Sequence, residues 1–324
     1  MSYLITGAAG FIGSHLCKAL EDRDMERYIL ADDFSRGKQS YLDQLGVKSH
    51  CSNSDLRDYE QALVMTKNVE TVFHTACRIG GMQFLHGSAQ NELRALQDNL
   101  SIDNNIFKAC VENNVSKVIF TSSVSIYNTE KQYDKTNRPF KESDKYNQSI
   151  SPEGGYGWAK FIAEKNLEMM SDAGIKVGIV RIFKSYGPHD DYSPESGQVV
   201  LSLMRKILNK EKFIVWGKGN VTRNLVYIDD LIEALLKVEK YTDRKSLTVN
   251  IGGDEPVSIR KLAERIVKLS GERIKIKFDE DKPSGPVCRE PDLEVASNCL
   301  GWKPTTDLDT GLQKCWDWIT EELK

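Results

Sequence analysis

Tyr156 and Lys160 stand four residues apart in the run EGGYGWAK, and a helix carries residues at that spacing on one face. A phenol beside an ammonium is drawn towards phenolate, and a phenolate can take the proton of an alcohol while hydride leaves its carbon. Hydride needs an acceptor, and the run TGAAGFIG near the amino terminus has the spacing to hold one. There Gly7, Gly10 and Gly13 form G-x-x-G-x-x-G between an apolar strand and an amphipathic helix. The first permits a tight turn, the second lets backbone approach a pyrophosphate, and the third lets helix and strand pack closely. The free N–H groups and dipole of the helix start favour the anion. The second strand ends in Ala31-Asp32-Asp33, about twenty residues further on. An acid there accepts hydrogen bonds from the adenosine ribose and repels a 2′-phosphate, so NAD is expected over NADP. Arg36 pulls the other way, because it could reach a phosphate.

Elements in order must carry these groups to one place. The first half alternates short apolar runs with helix-length amphipathic stretches, the pattern of a parallel sheet wound by helices. Strands are expected at Tyr3–Thr6, Tyr28–Asp32, Val69–His74, Lys117–Thr121 and Lys176–Ile182. Helices are expected over Phe11–Asp22, Ala89–Asn113 and Gly157–Asp172. Beyond Tyr186-Gly187-Pro188 the loops lengthen, with helices over Val199–Asn209, Asp229–Tyr241, Ile259–Ser270 and Thr310–Leu323. The polar stretch Thr129–Ser151 reads as one long loop directly before the Tyr156 helix. The fold class is α/β. A Rossmann-type doubly wound parallel sheet is expected over 1–182, and a smaller α/β substrate domain over 183–324, some of whose segments return to the first.

The 324 residues suffice for a sizeable core. A net charge of −3 and a pI near 6.0 leave no basic footprint for nucleic acid. The apolar runs are strand-sized, short of the roughly 18 residues that span a bilayer. Met1 leads straight into the first strand, which leaves no room for a signal peptide. The seven cysteines lack C-x-x-C spacing and read as reduced, mostly buried thiols. The expectation is a cytoplasmic protein without a metal. Trp158, Trp302, Trp316 and Trp318 read as core, and Trp216 in VWGKG as a candidate border of a nucleotide base.

Taken in order, TGAAGFIGSHL, LADDF, NSDLRD, HTAC, TSSVSIY, YGWAK, RIFKSYGP, TRNLVYIDD and LGWKP resemble the extended short-chain dehydrogenase/reductase family. Its epimerase/dehydratase members act on nucleotide sugars with NAD. The resemblance implies Tyr156 as acid/base, Ser123 as hydrogen-bond partner of the reacting oxygen, and Lys160 on the nicotinamide ribose, lowering the tyrosine pKa. It places NAD along Gly7, Gly10, Phe11, Ile12 and Gly13, with Asp32 and Asp33 at the ribose and Asp55 and Leu56 beside adenine. Thr75, Ala76, Cys77 and Asn99 would line the rest, capped by His74. Within the family, ACRIGGMQF, SSVSIYN and YGPHDDYSPESGQ are most similar to two GDP-sugar enzymes, GDP-mannose 3,5-epimerase and GDP-fucose synthase. This implies Gly80, Gly81 and Met82 against the sugar, and Arg223 and Arg289 on the diphosphate. A homodimer through the helices at Ala89–Asn113 and Gly157–Asp172 is implied as well.

Departures from those relatives bear on the reaction. Both move protons at carbons beside a 4-keto group with two side-chain acid/bases. Ser125 stands where they carry cysteine, and Gln198, or its neighbour Gly197, where they carry His or Lys. A serine without a base has too high a pKa to deprotonate a carbon acid, and an amide cannot do so. The 4,6-dehydratases of the family have Asp-Glu where this chain has Val124-Ser125. What remains is removal of hydride at C4 and its return, and hence C4 epimerisation of a sugar, with GDP as the expected nucleotide. A GDP-sugar 3,5-epimerase with Lys184, His189 or Glu195 as base stays open, as does a C4 dehydrogenase or reductase. A non-catalytic NAD-sensing protein is disfavoured by the presence of both Tyr156 and Lys160. Lys184 replaces the family's asparagine and reads as a pyrophosphate ligand, a carboxylate ligand, a base or a plain exposed lysine.

Overall fold

The computed structural model describes residues 2–23, 27–82, 84, 87–134, 136, 139–146, 149–282 and 284–324. Six strands run parallel in one sheet: β1 (Tyr3–Thr6), β2 (Tyr28–Asp32), β3 (Cys51–Asn53), β4 (Thr71–His74), β5 (Lys117–Ser123) and β6 (Lys176–Ile182). A seventh strand, Leu247–Ile251, pairs parallel with β6, giving the order Leu247–Ile251, β6, β5, β4, β1, β2, β3. The chain leaves β1 towards β2 and β3 on one side and returns to β4, β5 and β6 on the other. A crevice therefore opens between β1 and β4 at the carboxyl ends, where sheets of this kind bind ligands. Thr6 sits opposite both Ala31 and His74, so the loops carrying Gly7, Asp32 and Thr75 leave the same edge.

The strands are covered on both faces, which is why they read as near-continuous apolar runs; β5 is buried at every residue. Two sheet strands escaped the sequence pattern. Cys51–Asn53 has only three residues, and Leu247–Ile251 belongs to the sheet through partners distant in sequence. The stretch Thr129–Ser151 is not one bare loop. Asn128 caps a short helix, Thr129–Tyr133, by accepting from the Lys131 N–H, and Glu142–Lys145 forms a 3₁₀ turn. Five-residue helices lack the apolar periodicity that reveals longer ones.

Residues beyond 182 serve both the sheet and the far wall of the crevice. The helix Ile228–Tyr241 packs on β5, β6 and the helix Phe11–Glu21. Small strand pairs build the opposite wall: Ile214–Trp216 with Lys277–Asp279, and Thr222–Asn224 with Pro256–Ser258. One hydrophobic cluster runs from Tyr3 and Leu16 through Leu231 to Trp302, so the two parts share a core. The buried Trp302 indole donates to the Asp230 carbonyl at 3.0 Å. Trp158 corrects the sequence expectation: it is 41% exposed, on the outer face of the helix Gly154–Asp172. Trp316 and Trp318 are partly buried against the core. Cys17, Cys51, Cys110 and Cys315 are buried thiols, Cys77 and Cys288 partly so, and Cys299 is exposed. Among the described residues no helix is long and apolar enough to cross a membrane.

Candidate active site

The turn after β1 is shaped for backbone, not side chains. Gly7 has φ +66°, and a Cβ there would lie 2.8 Å from the Ala76 backbone. A Cβ on Gly13 would lie 2.0 Å from the Gly7 carbonyl oxygen, so no other residue fits. At the end of β2, Asp32 accepts hydrogen bonds from the Ala9 N–H (3.0 Å) and the Phe34 N–H (2.8 Å). Burial pushes its carboxyl upward, and these two donors oppose the rise. Arg36 donates to the Asp191 carboxylate and to Ser196, so its guanidinium is engaged across the cleft. Asp33 accepts from Ser35. Asp55 is gripped by Arg57, whose guanidinium holds the carboxyl below its usual range.

These residues line one cleft of about 800 Å³ with Gly10, Phe11, Ile12, Leu56, Thr75, Ala76 and Cys77. Three expected members do not line it: Lys160 lies behind Tyr156, and His74 and Asn99 are corrected here. His74 is fully buried behind it, bonded to Thr6 Oγ1 (2.7 Å) and Asp103 Oδ1 (2.9 Å), and burial lowers its pKa. Asn99 spends its amide on backbone, accepting from the Arg78 N–H and donating to the Arg78 and Ala95 carbonyls. It holds the loop that lines the cleft.

Tyr156 and Ser123 both face the cleft, the first from the start of the helix Gly154–Asp172, the second from the end of β5. Lys160 lies one turn behind, fully buried. Its Nζ has no hydrogen-bond partner, 4.0 Å from Asp103 Oδ1 and 4.2 Å above the Phe120 ring. The phenol does not meet the expectation of a lowered pKa. Burial pushes it well above the usual tyrosine range, Cys77 and Asp103 add to this, and only the Ser123 hydrogen bond opposes. Desolvation is the dominant cause. A buried ammonium without acceptors is costly, and sugar hydroxyls would satisfy it. With the side-chain-free turn at Gly7 and Gly13, that orphaned Nζ fits a bound dinucleotide.

The sugar side is assembled from segments far apart in sequence. The Gly81 N–H donates to the Ser196 carbonyl at 2.7 Å, and a Cβ on Gly81 would lie 2.5 Å from the Gly197 carbonyl. Met82 and Gly80 line the cleft beside them. Ser125 donates to Glu153 Oε2 at 3.1 Å, and Arg289 donates to the same oxygen and to Gln132. Glu153 was missed by sequence reasoning. It occupies the N-cap position of the Tyr156 helix yet makes no side-chain cap, which only the structure shows. Lys184 donates to Gln198 Oε1; burial lowers its pKa and the neighbouring Asp190 opposes. Arg223 donates to the carbonyls of Thr222 (2.6 Å) and Pro286 (2.9 Å), and burial lowers it to about 10. Glu195 and Trp216 line the cleft, and so does His189, stacked on Tyr41 and lowered by burial to about 3.

A hydride-accepting dinucleotide on one wall and a phenol with a serine hydroxyl on the other can together oxidise and reduce an alcohol. The model of the NAD dependent epimerase/dehydratase family matches residues 3–252. GDP-mannose 3,5-epimerase of Arabidopsis thaliana is 31% identical over 322 residues, 99% of this chain and 82% of that one. The solved UDP-glucose 4-epimerase of Thermotoga maritima, with UDP-glucose, shares the fold at a TM-score of 0.87 and 24% identity, each chain covered fully. UDP-glucuronic acid 4-epimerase of Bacillus cereus, solved with UDP-glucuronic acid and NAD, superposes at 0.84 and 25% identity, again over 100% of both chains. The chain is an NAD-dependent enzyme and belongs to the epimerase/dehydratase family that acts on nucleotide sugars.

Proposed function

We propose that the protein is a nucleotide-sugar C4 epimerase that works through a transient 4-keto sugar, with a GDP-linked hexose as substrate. The observation that carries this reading is where the cleft places its acid/base groups. Tyr156 and Ser123 are set for an alcohol, whereas the positions that serve carbon acids in relatives are occupied otherwise. Ser125 directs its proton at Glu153, whose carboxylate Arg289 already holds, and the Gln198 amide is bonded to Lys184. In this mechanism Tyr156, as phenolate, takes the proton of the C4 hydroxyl while Ser123 donates to the same oxygen. NAD, when bound, accepts the C4 hydride and returns it. The 4-keto sugar turns over in the cleft, so that hydride would return to the other face of C4 while Tyr156 gives the proton back to O4. Lys160 holds the ribose hydroxyls that its unpaired Nζ calls for, and Asp32 those of the adenosine end.

The GDP linkage rests on the Arabidopsis relative; a UDP-linked sugar is the second reading, favoured by the nucleotides in the two solved neighbours. A homodimer is part of the proposal. Leu93, Val111, Trp158, Ile162 and Met169 are exposed apolar side chains on the two long helices, Ala89–Glu112 and Gly154–Asp172, which pack side by side.

Turnover of candidate GDP- and UDP-sugars in D₂O tests the reaction. We expect a C4-inverted product with no deuterium on carbon, because hydride shuttles between C4 and NAD without meeting solvent. Deuterium at C3 or C5 would refute C4 epimerisation and point to a carbon-acid base, with Lys184 the first to mutate. Net NADH without an epimer would indicate a dehydrogenase.

A further inference from the structure

Arg36 is the residue whose place after Asp32 argues for a 2′-phosphate, and its surroundings decide whether it can hold one. Gly37 follows it, and a Cβ on Gly37 would lie 2.7 Å from Asp32 Oδ1, so this turn is folded onto the carboxylate. Arg36 therefore leaves the chain beside Asp32, in the cleft that both line. A free guanidinium there would have the planar fork that grips phosphate oxygens. It is not free. Its Nη2 donates to Asp191 Oδ2 and, at 3.4 Å, to Ser196 Oγ on the opposite wall. Its Nη1 is buried and has no hydrogen-bond partner among the described residues. The guanidinium is thus held by the Asp191–Ser196 segment.

That segment is fixed by its own bonds and does not depend on the arginine. Asp191 Oδ1 accepts from the Ser193 N–H at 2.8 Å, and Oδ2 from the Ser196 hydroxyl at 2.5 Å. The Asp191 N–H donates to Asp190 Oδ1 at 2.8 Å, and its carbonyl accepts the Gln198 N–H at 2.7 Å. Burial alone would raise the Asp191 pKa; Ser196, Ser193 and Arg36 overcome it and hold it below the usual range, so the group is charged at neutral pH. Lys38, Arg57 and Arg78, which also line the cleft, pair with Glu322, Asp55 and Asp98. A 2′-phosphate would therefore meet the carboxylates of Asp32 and Asp33 with its nearest cation turned away. A neutral ribose hydroxyl loses nothing by that withdrawal.

We propose that Asp191 is a determinant of cofactor choice: by holding Arg36 across the cleft, it denies a 2′-phosphate the cation that stands beside Asp32. The preference for NAD is then set by both walls of the cleft and not by Asp32 alone. Asp191 acts through Arg36 and is a positioning residue.

Cofactor exchange on the holoprotein reads this directly. Protein carrying NAD is dialysed to equilibrium against mixtures of NAD and NADP, and the bound cofactors are released and quantified, which gives the ratio of the two affinities. Asp191→Asn keeps the shape and removes the charge, so it should raise the NADP:NAD ratio about tenfold, the lower end of what one charge-assisted hydrogen bond contributes. Asp191→Ala should do the same, and full cofactor occupancy shows that either variant is folded. Arg36→Gln alone should move the ratio by less than about threefold, because its charge is already withdrawn. In the double variant Asp191→Asn/Arg36→Gln the gain should vanish. An unchanged ratio in both Asp191 variants would overturn the proposal. So would a gain that persists in the double variant, since it would not pass through Arg36. Equal weakening of NAD and NADP would reduce the pair to a brace between the walls and overturn it as well. None of these readouts involves a sugar, so the C4 epimerase reading stands or falls separately.

Discussion

The Tyr156 hydroxyl is the group through which the proposed proton transfer runs, and its neighbours set how it titrates. Tyr156→Phe keeps the buried ring and removes the acceptor, so turnover should fall by about 10²–10⁴. NAD should still co-purify, and wild-type-like turnover would sink the mechanism. Ser123 holds the phenol down against burial. Without that bond the phenolate forms at higher pH, so Ser123→Ala should move the rising limb of kcat to higher pH. Cofactor choice rests on Asp32. NAD should bind better than NADP, and Asp32→Ala should narrow the gap in direct titration; a wild-type preference for NADP would contradict this. Tyr156, Lys160, Ser123 and the glycines were legible in sequence because each sits in a short run of fixed spacing. Glu153 was not, since an acid before a glycine pair looks like surface until Ser125 and Arg289 are seen around it.

The helix Gly154–Asp172 carries the catalytic pair, and a buried ionic network ties it to the sheet edge. Glu164, four residues after Lys160, accepts two bonds from Arg181 (3.0 and 2.8 Å), one from Ser122 (2.5 Å), and pairs with Lys145 (2.9 Å). Arg181 also reaches Tyr127 and the Glu142 carbonyl, and Tyr127 donates to Asn250 of the seventh strand. Burial alone would raise the Glu164 pKa; Arg181 and Lys145 overcome it and hold it at about 2. A folded pKa below the usual 4.5 means the stabilisation is complete above about pH 4.5 and is lost as pH falls towards 2. By linkage the loss is about 3 kcal/mol. Urea midpoints should show that fall in the wild type and a flatter profile in Glu164→Gln. The substitution also leaves Arg181 and Lys145 undercompensated, so it should cost about 3–5 kcal/mol at neutral pH. A variant as stable as wild type would refute this account. The long helices were legible from their apolar period, but the 3₁₀ turn Glu142–Lys145 rests on Lys145 and Glu142 finding partners on Glu164 and Asn250.

At the scale of the whole molecule, the proposed dimer would cover the exposed apolar side chains on the two long helices. Sedimentation at micromolar concentration should give a dimer, and Ile162→Asp or Met169→Glu should shift it to monomer while NAD binding persists. A monomeric wild type would remove the dimer from the proposal. Trp158 belongs to this face. The expectation of a core tryptophan failed because apolar character alone does not say which face of an amphipathic helix a residue takes. The boundary near 182 was readable as a change of texture, yet the strand Leu247–Ile251 and the helix Ile228–Tyr241 complete the first layer from beyond it.

By itself the sequence determined whatever depends on near neighbours along the chain. The turn at Gly7, the Tyr156–Lys160 spacing, the acid after β2 and the parallel wound sheet each follow from local sterics or from a period of two or 3.6 residues. Only the tertiary structure decided which charges are spent and which are free. Glu153 meets Arg289 across 136 residues, Arg36 meets Asp191 across 155, and Lys184 meets Gln198 across a loop. No periodicity encodes such meetings. They depend on the closure of one wall of the cleft against the other, where burial makes an unpaired charge expensive enough to choose its partner.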